Sequence, residues 1–274
     1  MNNKKHWKPL RYVLSSASKG STELFKIFKW NRKATNIQNP PVPLHNPNNS
    51  KSPKRIPSNP AIFTDLQLEK KTTGNYETFK KNLYFNSRIV LIFGKRGSGK
   101  SALGLRILEN IMAKTTRRCH VLGIDERLIP SWIEPINNIQ EAKSSSAILI
   151  DEGAITFNAR ESMKGANKEL SKIMAIARHR NLTIIFITQN TGMIDKNILK
   201  LSDSLMIKEG SLLQLEMERP EIKKFYAKSK ELIDKAHDNK IKYIYVVDSE
   251  FEGLLKHTLP SFWTDQLSKN RSSP

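Results

Sequence analysis

The chain of 274 residues contains a single cysteine, Cys119, so it cannot form an intrachain disulfide. It also lacks long apolar runs, because stretches such as 88–93 and 182–187 fall far short of the roughly 20 residues that span a bilayer. The N-terminus has no apolar block of the kind found in signal peptides. Together these absences predict a soluble protein of a reducing compartment, with no transmembrane segment.

Acidic residues are scarce. The chain has 26 Asp and Glu against 46 Lys and Arg, a formal net charge of +20. Residues 1–60 carry twelve Lys or Arg but one acidic residue, Glu23, so this fifth of the chain holds +11 of the excess and the remainder holds +9. Such a balance favours a polyanionic partner, either nucleic acid or an anionic membrane surface.

The first 60 residues differ from the rest in composition. Residues 1–36 are basic with scattered aromatics, and within them 21–33 has the pattern of a short amphipathic helix after a Ser-Thr cap. This helix is either an anchor to a partner protein, membrane surface or nucleic acid, or a transient helix in a solvated tail. Residues 37–60 hold seven of the 13 prolines and predict a linker. We therefore expect a disordered basic arm, then a Pro/Asn/Ser-rich tether.

Residues 61–274 read as one α/β domain. Short β-branched runs alternate with longer segments of helical periodicity, a pattern typical of a mainly parallel sheet flanked by helices. The predicted strands are 88–93, 119–124, 146–151, 182–188, 204–208 and 242–248. The predicted helices are 99–115, 164–180, 192–201 and 218–237.

The motif GKRGSGKS at 94–101 fits the phosphate-loop template G-x-x-x-x-G-K-[ST]. A predicted strand precedes it and a predicted helix follows, so the backbone N–H groups of the turn can face phosphate oxygens. Lys100 is expected to reach the β- and γ-phosphates of ATP, and the Ser101 hydroxyl to bind Mg²⁺. The predicted nucleotide-binding set is Gly94, Arg96, Gly97, Ser98, Gly99, Lys100 and Ser101.

An apolar strand that ends in Asp151-Glu152 predicts a Walker B arrangement. Asp151 is expected to hold Mg²⁺ through water, and Glu152 to act as the general base on an attacking water. Alternatively, Glu152 is only an acidic residue at the start of a helix. The acidic pair favours a hydrolysing ATPase over a small-molecule kinase, whose acceptor is a substrate hydroxyl.

Two further polar signals lie around strand 182–188. Gln189 follows the strand and is a candidate contact to the γ-phosphate or the attacking water, with a polar turn residue as the alternative. Arg178 is a candidate arginine finger for a neighbouring subunit's nucleotide. Arg180 and Arg160 compete for that role, and each could equally be a solvated cation at a helix end. No His/Cys/Asp cluster has metal-site spacing, so we expect no structural zinc.

The motifs GKRGSGKS, LIDEG and ARHRNLTIIFITQN, taken in this order, resemble the FtsK–HerA superfamily of DNA-pumping ATPases. The resemblance covers about residues 86–210. The superfamily includes the genome-packaging ATPases of membrane-containing viruses and the Zot-like morphogenesis proteins of filamentous phages. It implies a P-loop NTPase of the ASCE/RecA-like type, with Lys100, Ser101, Asp151, Glu152, Gln189 and Arg178 in the roles given above. Zot-like proteins usually carry a membrane span after the ATPase domain, and this chain has none.

The resemblance implies an ATP- and Mg²⁺-dependent ring of identical subunits that translocates DNA, double-stranded by expectation, into a preformed capsid. The protein would then act in the host cytoplasm or at the virion, with its N-terminal arm docked to a capsid or membrane surface. One alternative is a Zot-like assembly, secretion or conjugation ATPase at a membrane. Another is a weakly hydrolysing ATP-dependent switch or scaffold.

Overall fold

The computed structural model describes residues 59–151, 163–189, 196–211 and 220–269, together with Leu213, Glu216 and Glu218. The predictions for the basic arm, for nearly all of the linker, for Glu152 and for Arg160 fall outside these residues. Within the described residues, no helix has both the length and the apolar character needed to cross a membrane.

Nine strands of the described residues form one sheet in the order β1-β9-β8-β7-β2-β6-β5-β3-β4. The six strands from β7 to β4 run parallel to one another, whereas β8, β9 and β1 each pair antiparallel with their neighbours. The prediction of a mainly parallel α/β sheet is confirmed. The strands are β1 (Gln67–Gly74), β2 (Ile89–Phe93), β3 (Cys119–Leu122), β4 (Ile133–Pro135), β5 (Ala147–Asp151), β6 (Thr183–Thr188), β7 (Ser204–Ile207), β8 (Tyr243–Asp248) and β9 (Phe251–Lys256).

Helices pack on both faces of the sheet, which explains why the central strand β2 is apolar and buried at every position. In β2, Leu91 and Phe93 pack in one core cluster with residues of the helices at 163–179 and 220–234, while Val90 and Ile92 pack in the other with residues of the helices at 76–85 and 100–114. The helices are α1 (Tyr76–Phe85), α2 (Lys100–Lys114), α3 (Met163–His179), α4 (Lys196–Leu201), α5 (Pro220–Asp234) and α6 (Asp265–Lys269).

The sequence pattern failed to predict five of the described elements, α1, α6, β1, β4 and β9. Every residue of β1 is exposed, so the strand lacks the apolar alternation by which strands are recognised. It is held by backbone pairing with β9 along Gln67–Gly74. The predicted helix 192–201 is described only from Lys196 onward, as α4.

A buried ion pair on α2 holds two irregular segments against this helix. Arg106 Nη1 lies 2.8 Å from Glu109 Oε2, and neither side chain is more than 4% exposed. Glu109 accepts the backbone N–H of Ile62 at 3.1 Å and that of Ser261 at 3.0 Å. Arg106 donates to the carbonyls of Ile62 and Leu259. The segments that precede β1 and follow β9 are therefore tied to the helix that begins at the phosphate loop.

Candidate functional site

The phosphate loop 94–99 connects β2 to α2, as the motif predicts. Gly99 is the residue before the helix and has a left-handed backbone, with φ 85° and ψ 21°. A side chain at this position would strain the turn, so glycine is required where the chain reverses into the helix. The loop consequently delivers its backbone N–H groups to the N-terminus of a 15-residue helix, Lys100–Lys114, where the helix dipole favours an anion.

The loop is in contact with the rest of the domain on one side and open on the other. A Cβ added to Gly94 would lie 2.7 Å from Lys208 Cβ, and one added to Gly99 would lie 2.8 Å from Ile241 Cγ2. A Cβ added to Gly97 would meet no atom of the described part of the chain within 4 Å. Arg96 and Gly97 are exposed, at the open tip of the loop. A phosphate chain therefore has room on the side of Gly97.

Lys100 and Ser98 present polar groups inside the loop. The Lys100 side chain is buried, and its Nζ donates to the carbonyls of Gly94 and Lys95, both at 2.8 Å. The Ser98 hydroxyl is buried and has no hydrogen-bond partner among the residues that the structure describes. Since buried polar atoms are normally paired, this hydroxyl fits a loop built to receive an anion. Ser101 is partly exposed at the first turn of α2, where its hydroxyl could reach a cation beside the phosphates.

The strand register brings Asp151 and Gln189 to the same edge of the sheet as the phosphate loop. Strand β6 lies between β2 and β5, with Phe93 opposite Thr188 and Asp151 opposite Ile187. Gln189 follows Thr188 and is exposed, while Asp151 is partly exposed. With strands about 4.8 Å apart, Asp151 lies roughly 10 Å from the end of β2. A γ-phosphate and a cation fit within that distance.

The arginine candidates lie elsewhere. Arg178 is exposed near the end of α3, and its Nη2 donates to the carbonyl of Leu201 at 3.3 Å. Arg180 donates to carbonyls of the segment before β5, with Nη1 3.2 Å from the Gln140 oxygen. Both residues precede β6, at the edge of the sheet opposite the phosphate loop. The structure therefore does not bring either arginine to the phosphate loop of its own chain.

Lys208 lies against the phosphate loop but is not among the residues that the sequence motifs predict for the site. Lys208 follows β7, and its backbone N–H donates to the Phe93 carbonyl at 2.8 Å. The backbone carbonyl of the next residue, Glu209, accepts the backbone N–H of Lys95 at 2.9 Å. The Glu209 carboxylate also pairs with the Lys95 ammonium at 2.9 Å. The local signal is a lysine directly after an apolar strand, but only the strand order places β7 beside the phosphate-loop strand.

Comparison with known proteins supports the resemblance seen in the sequence. The model of the zonular occludens toxin (Zot) family matches residues 103–209, which contain Asp151, Arg178 and Gln189. No curated protein sequence matches the chain significantly. The resemblance to Zot-like proteins is thus confirmed over the part of the domain that follows the phosphate loop.

Solved structures with a similar fold include viral packaging enzymes. One is the genome packaging NTPase B204 of Sulfolobus turreted icosahedral virus 2 in complex with ATP-γS, with 15% identity, a TM-score of 0.45, and coverage of 63% of this chain and 98% of that chain. Another is the cytoplasmic domain of the Thermomonospora curvata type VII secretion ATPase EccC, with 13% identity, a TM-score of 0.41, and coverage of 63% and 24%. A KaiC-like protein of Pyrococcus horikoshii has 12% identity, a TM-score of 0.40, and coverage of 72% and 94%.

Proposed function

We propose that this chain is an Mg²⁺-dependent ATPase that drives DNA translocation, with packaging of a viral genome into a preformed capsid as its biological task. The observation that carries the ATPase proposal is the strand order β7-β2-β6-β5. In this order β6, which Gln189 follows, lies next to the phosphate-loop strand β2, and β5, which ends in Asp151, lies next to β6. The buried hydroxyl of Ser98, which lacks a partner within the described ranges, also supports phosphate binding by the loop.

In this mechanism the loop backbone and Lys100 bind the β- and γ-phosphates, and Ser101, together with Asp151 through water, would hold Mg²⁺. Bound Mg²⁺ would neutralise charge on the phosphate oxygens. Glu152 takes a proton from a water molecule while the oxygen of that water attacks the γ-phosphorus. The bond between the γ-phosphorus and the β-γ bridging oxygen breaks, which gives ADP and phosphate. Gln189 orients the attacking water. The residues thus divide into groups that bind, groups that orient and one base.

Replacement of Asp151 by asparagine is expected to weaken metal use more than nucleotide binding. The amide keeps the shape of the side chain but loses the negative charge that attracts a divalent cation. We expect the Mg²⁺ concentration for half-maximal ATPase rate to rise about tenfold or more, a range matched to the removal of one strong electrostatic contact. A magnesium titration of the steady-state rate measures this, and an unchanged half-maximal concentration would contradict the role of Asp151.

Replacement of Glu152 by glutamine separates a hydrolysing motor from an ATP-dependent switch. If Glu152 is the general base, hydrolysis falls by roughly 10²–10⁴-fold, because this is the usual contribution of such a base, while ATP still binds. Single-turnover hydrolysis and equilibrium ATP binding are measured on the same preparation. An unchanged hydrolysis rate would instead support the switch or scaffold, in which turnover is incidental.

The DNA-translocation part of the proposal rests on the sequence resemblance and on the basic excess of the chain. A motor that grips phosphates without reading bases should bind DNA in a strongly salt-dependent manner, because binding releases counterions. The test measures the ATPase rate of the full chain with double-stranded DNA, with single-stranded DNA and without DNA, and sizes the protein with and without ATP. Stimulation by double-stranded DNA and ATP-dependent assembly into a ring are expected. A protein that stays monomeric with ATP and whose ATPase rate does not respond to DNA would contradict the translocation proposal.

The match to the Zot family favours a second candidate, an assembly, secretion or conjugation ATPase at a membrane. In that case residues 1–36 would bind an anionic membrane surface through their basic and aromatic residues. Preference for single-stranded DNA, together with binding of the full chain to anionic liposomes, would favour this alternative over packaging.

Arg178 is proposed to act on the nucleotide of a neighbouring subunit. Because it lies at the edge opposite the phosphate loop of its own chain, this role requires a ring in which the start of β6 in one subunit faces the phosphate loop of the next. Its exposed guanidinium donates to the Leu201 carbonyl at 3.3 Å, a contact that a phosphate could replace.

A further inference from the structure

Behind the phosphate loop lies a buried pair of basic side chains, Lys208 and His257. Lys208 is fully buried and His257 is 3% exposed. The Lys208 ammonium donates to the carbonyls of Ile241 and Tyr243, the latter at 2.9 Å. Its Nζ lies 2.8 Å from His257 Nε2, and His257 Nδ1 lies 3.1 Å from the Thr258 carbonyl. All four contacts are within hydrogen-bond distance.

The number of hydrogens assigns one positive charge to this pair. Four contacts need four hydrogens, and a neutral lysine with a neutral histidine supplies three. One of the contacts to the imidazole would then join two lone pairs, whereas one extra proton satisfies all four. Burial, together with the charge on Lys208, lowers the pKa of His257 to about 3. Lys208 Nζ has three acceptors within reach, two backbone carbonyls and His257 Nε2, so an ammonium group uses all three of its hydrogens. The extra proton is therefore placed on Lys208, and His257 accepts through Nε2.

This cation is built into the wall of the phosphate loop. Lys208 Cβ would be 2.7 Å from a Cβ on Gly94, and its Cε would be 3.7 Å from a Cβ on Gly99. Ile241, whose carbonyl it holds, packs against the same Gly99. One buried side chain thus connects the exit of β7, the 3₁₀ turn Lys240–Lys242 and both ends of the loop.

The charged groups around the pair make it sensitive to an anion in the loop. Lys100 and Glu209 face Lys208, and Arg106 faces His257. The two ammonium groups of Lys100 and Lys208 repel each other across the loop, while burial and Lys100 both lower the pKa of Lys208. A polyphosphate bound in the loop would relieve this repulsion, so the two lysines gain from the same ligand.

We propose that Lys208, with His257 as its neutral acceptor, is a positioning residue of the phosphate loop and supplies a second buried cation to the polyphosphate site. The proposal rests on the proposed nucleotide-binding function of the loop. It predicts that Lys208 matters more for a triphosphate than for a monophosphate, because the charge acts on the β- and γ-phosphates that the loop holds.

The test measures equilibrium binding of ATP, ADP and AMP with Mg²⁺, and kcat and KM for ATP, on the full chain and on Lys208→Met. We expect the Kd and KM for ATP to rise about tenfold or more, the ordinary range for loss of one buried charge interaction. The shift for AMP should be smaller, and kcat should change by less than about threefold, since ground-state binding is what is lost. The matched control is Lys240→Met. Lys240 is an exposed lysine of the 3₁₀ turn that Lys208 contacts, and it pairs with Asp234.

A second pair of variants keeps the proposal falsifiable if Lys208→Met does not fold. His257→Leu removes the acceptor and should raise the Kd for ATP, while His257→Gln retains an acceptor and should restore part of the affinity. A merely structural role would lower the melting temperature but leave the Kd below melting unchanged, and that result overturns the proposal. If the unmodified chain itself fails to bind ATP, the proposed function falls as well; normal binding by both Lys208→Met and His257→Leu overturns this inference alone.

Discussion

Replacement of Lys100 by methionine is expected to reduce kcat/KM for ATP by roughly 10²- to 10³-fold, the cost of removing one preorganised electrostatic contact to a transferring group. Lys100 is buried in the loop, where its ammonium is held by the carbonyls of Gly94 and Lys95 at 2.8 Å. Both are weak partners compared with a phosphate, so the ammonium can move to the ligand at little cost. Steady-state kinetics and equilibrium binding of ATP measure the loss.

The matched control for Lys100 is another lysine of the same loop. Lys95 is 39% exposed, and its ammonium pairs with Glu209 at 2.9 Å. Such exposed pairs contribute about 0–1 kcal/mol, so Lys95→Met should change activity by less than about threefold. Both variants should melt near the unmodified chain. Equal losses in the two variants would mean that general charge around the loop, rather than the position of Lys100, binds the phosphates.

Replacement of Glu109 by leucine is expected to lower the free energy of unfolding by about 3–5 kcal/mol, because it leaves the buried charge of Arg106 without its partner. The substitution also removes the acceptor for the N–H groups of Ile62 and Ser261. At roughly 2–4 °C per kcal/mol for a domain of this size, the melting temperature should fall by about 6–20 °C. Thermal and denaturant unfolding measure this loss.

A double-mutant cycle tests whether the charge is the cause. Arg106→Met with Glu109→Leu should be less destabilised than the sum of the two single variants, because neither charge is then left alone. Glu134→Gln is the control, since Glu134 meets Arg118 at 3.3 Å in an exposed pair and its loss should cost less than about 1 kcal/mol. Strict additivity of the two core substitutions would rule out an electrostatic coupling.

Part of the site could be predicted because it follows from short-range pattern. The glycines of the loop, Lys100 and Ser101 lie within eight consecutive residues, and their spacing follows from the geometry of a turn that enters a helix. Asp151 and Gln189 could be predicted because each directly follows an apolar run. The carboxyl ends of parallel strands meet at one edge of a sheet, so these two residues are expected to lie near the loop.

Elements without an apolar pattern escaped prediction. Every residue of β1 is exposed, and the strand is held by backbone pairing with β9, from Gln67 opposite Lys256 to Gly74 opposite Phe251, far away in the chain. The direction of β8 also could not be predicted. Its sequence, YIYVVD, is as apolar as a parallel central strand, yet it pairs antiparallel with β7. Pairing direction depends on the connection between strands, which periodicity does not encode.

The sequence by itself determined the fold class, the phosphate loop, and the acidic and amide positions at the strand ends, since each depends on residues close together in the chain. The tertiary structure alone decided that Glu109 ties together residues 62 and 261. It also decided that Lys208 and His257, 49 residues apart, meet behind the loop at 2.8 Å. Those contacts follow from strand order, and strand order is set by which surfaces can be buried together.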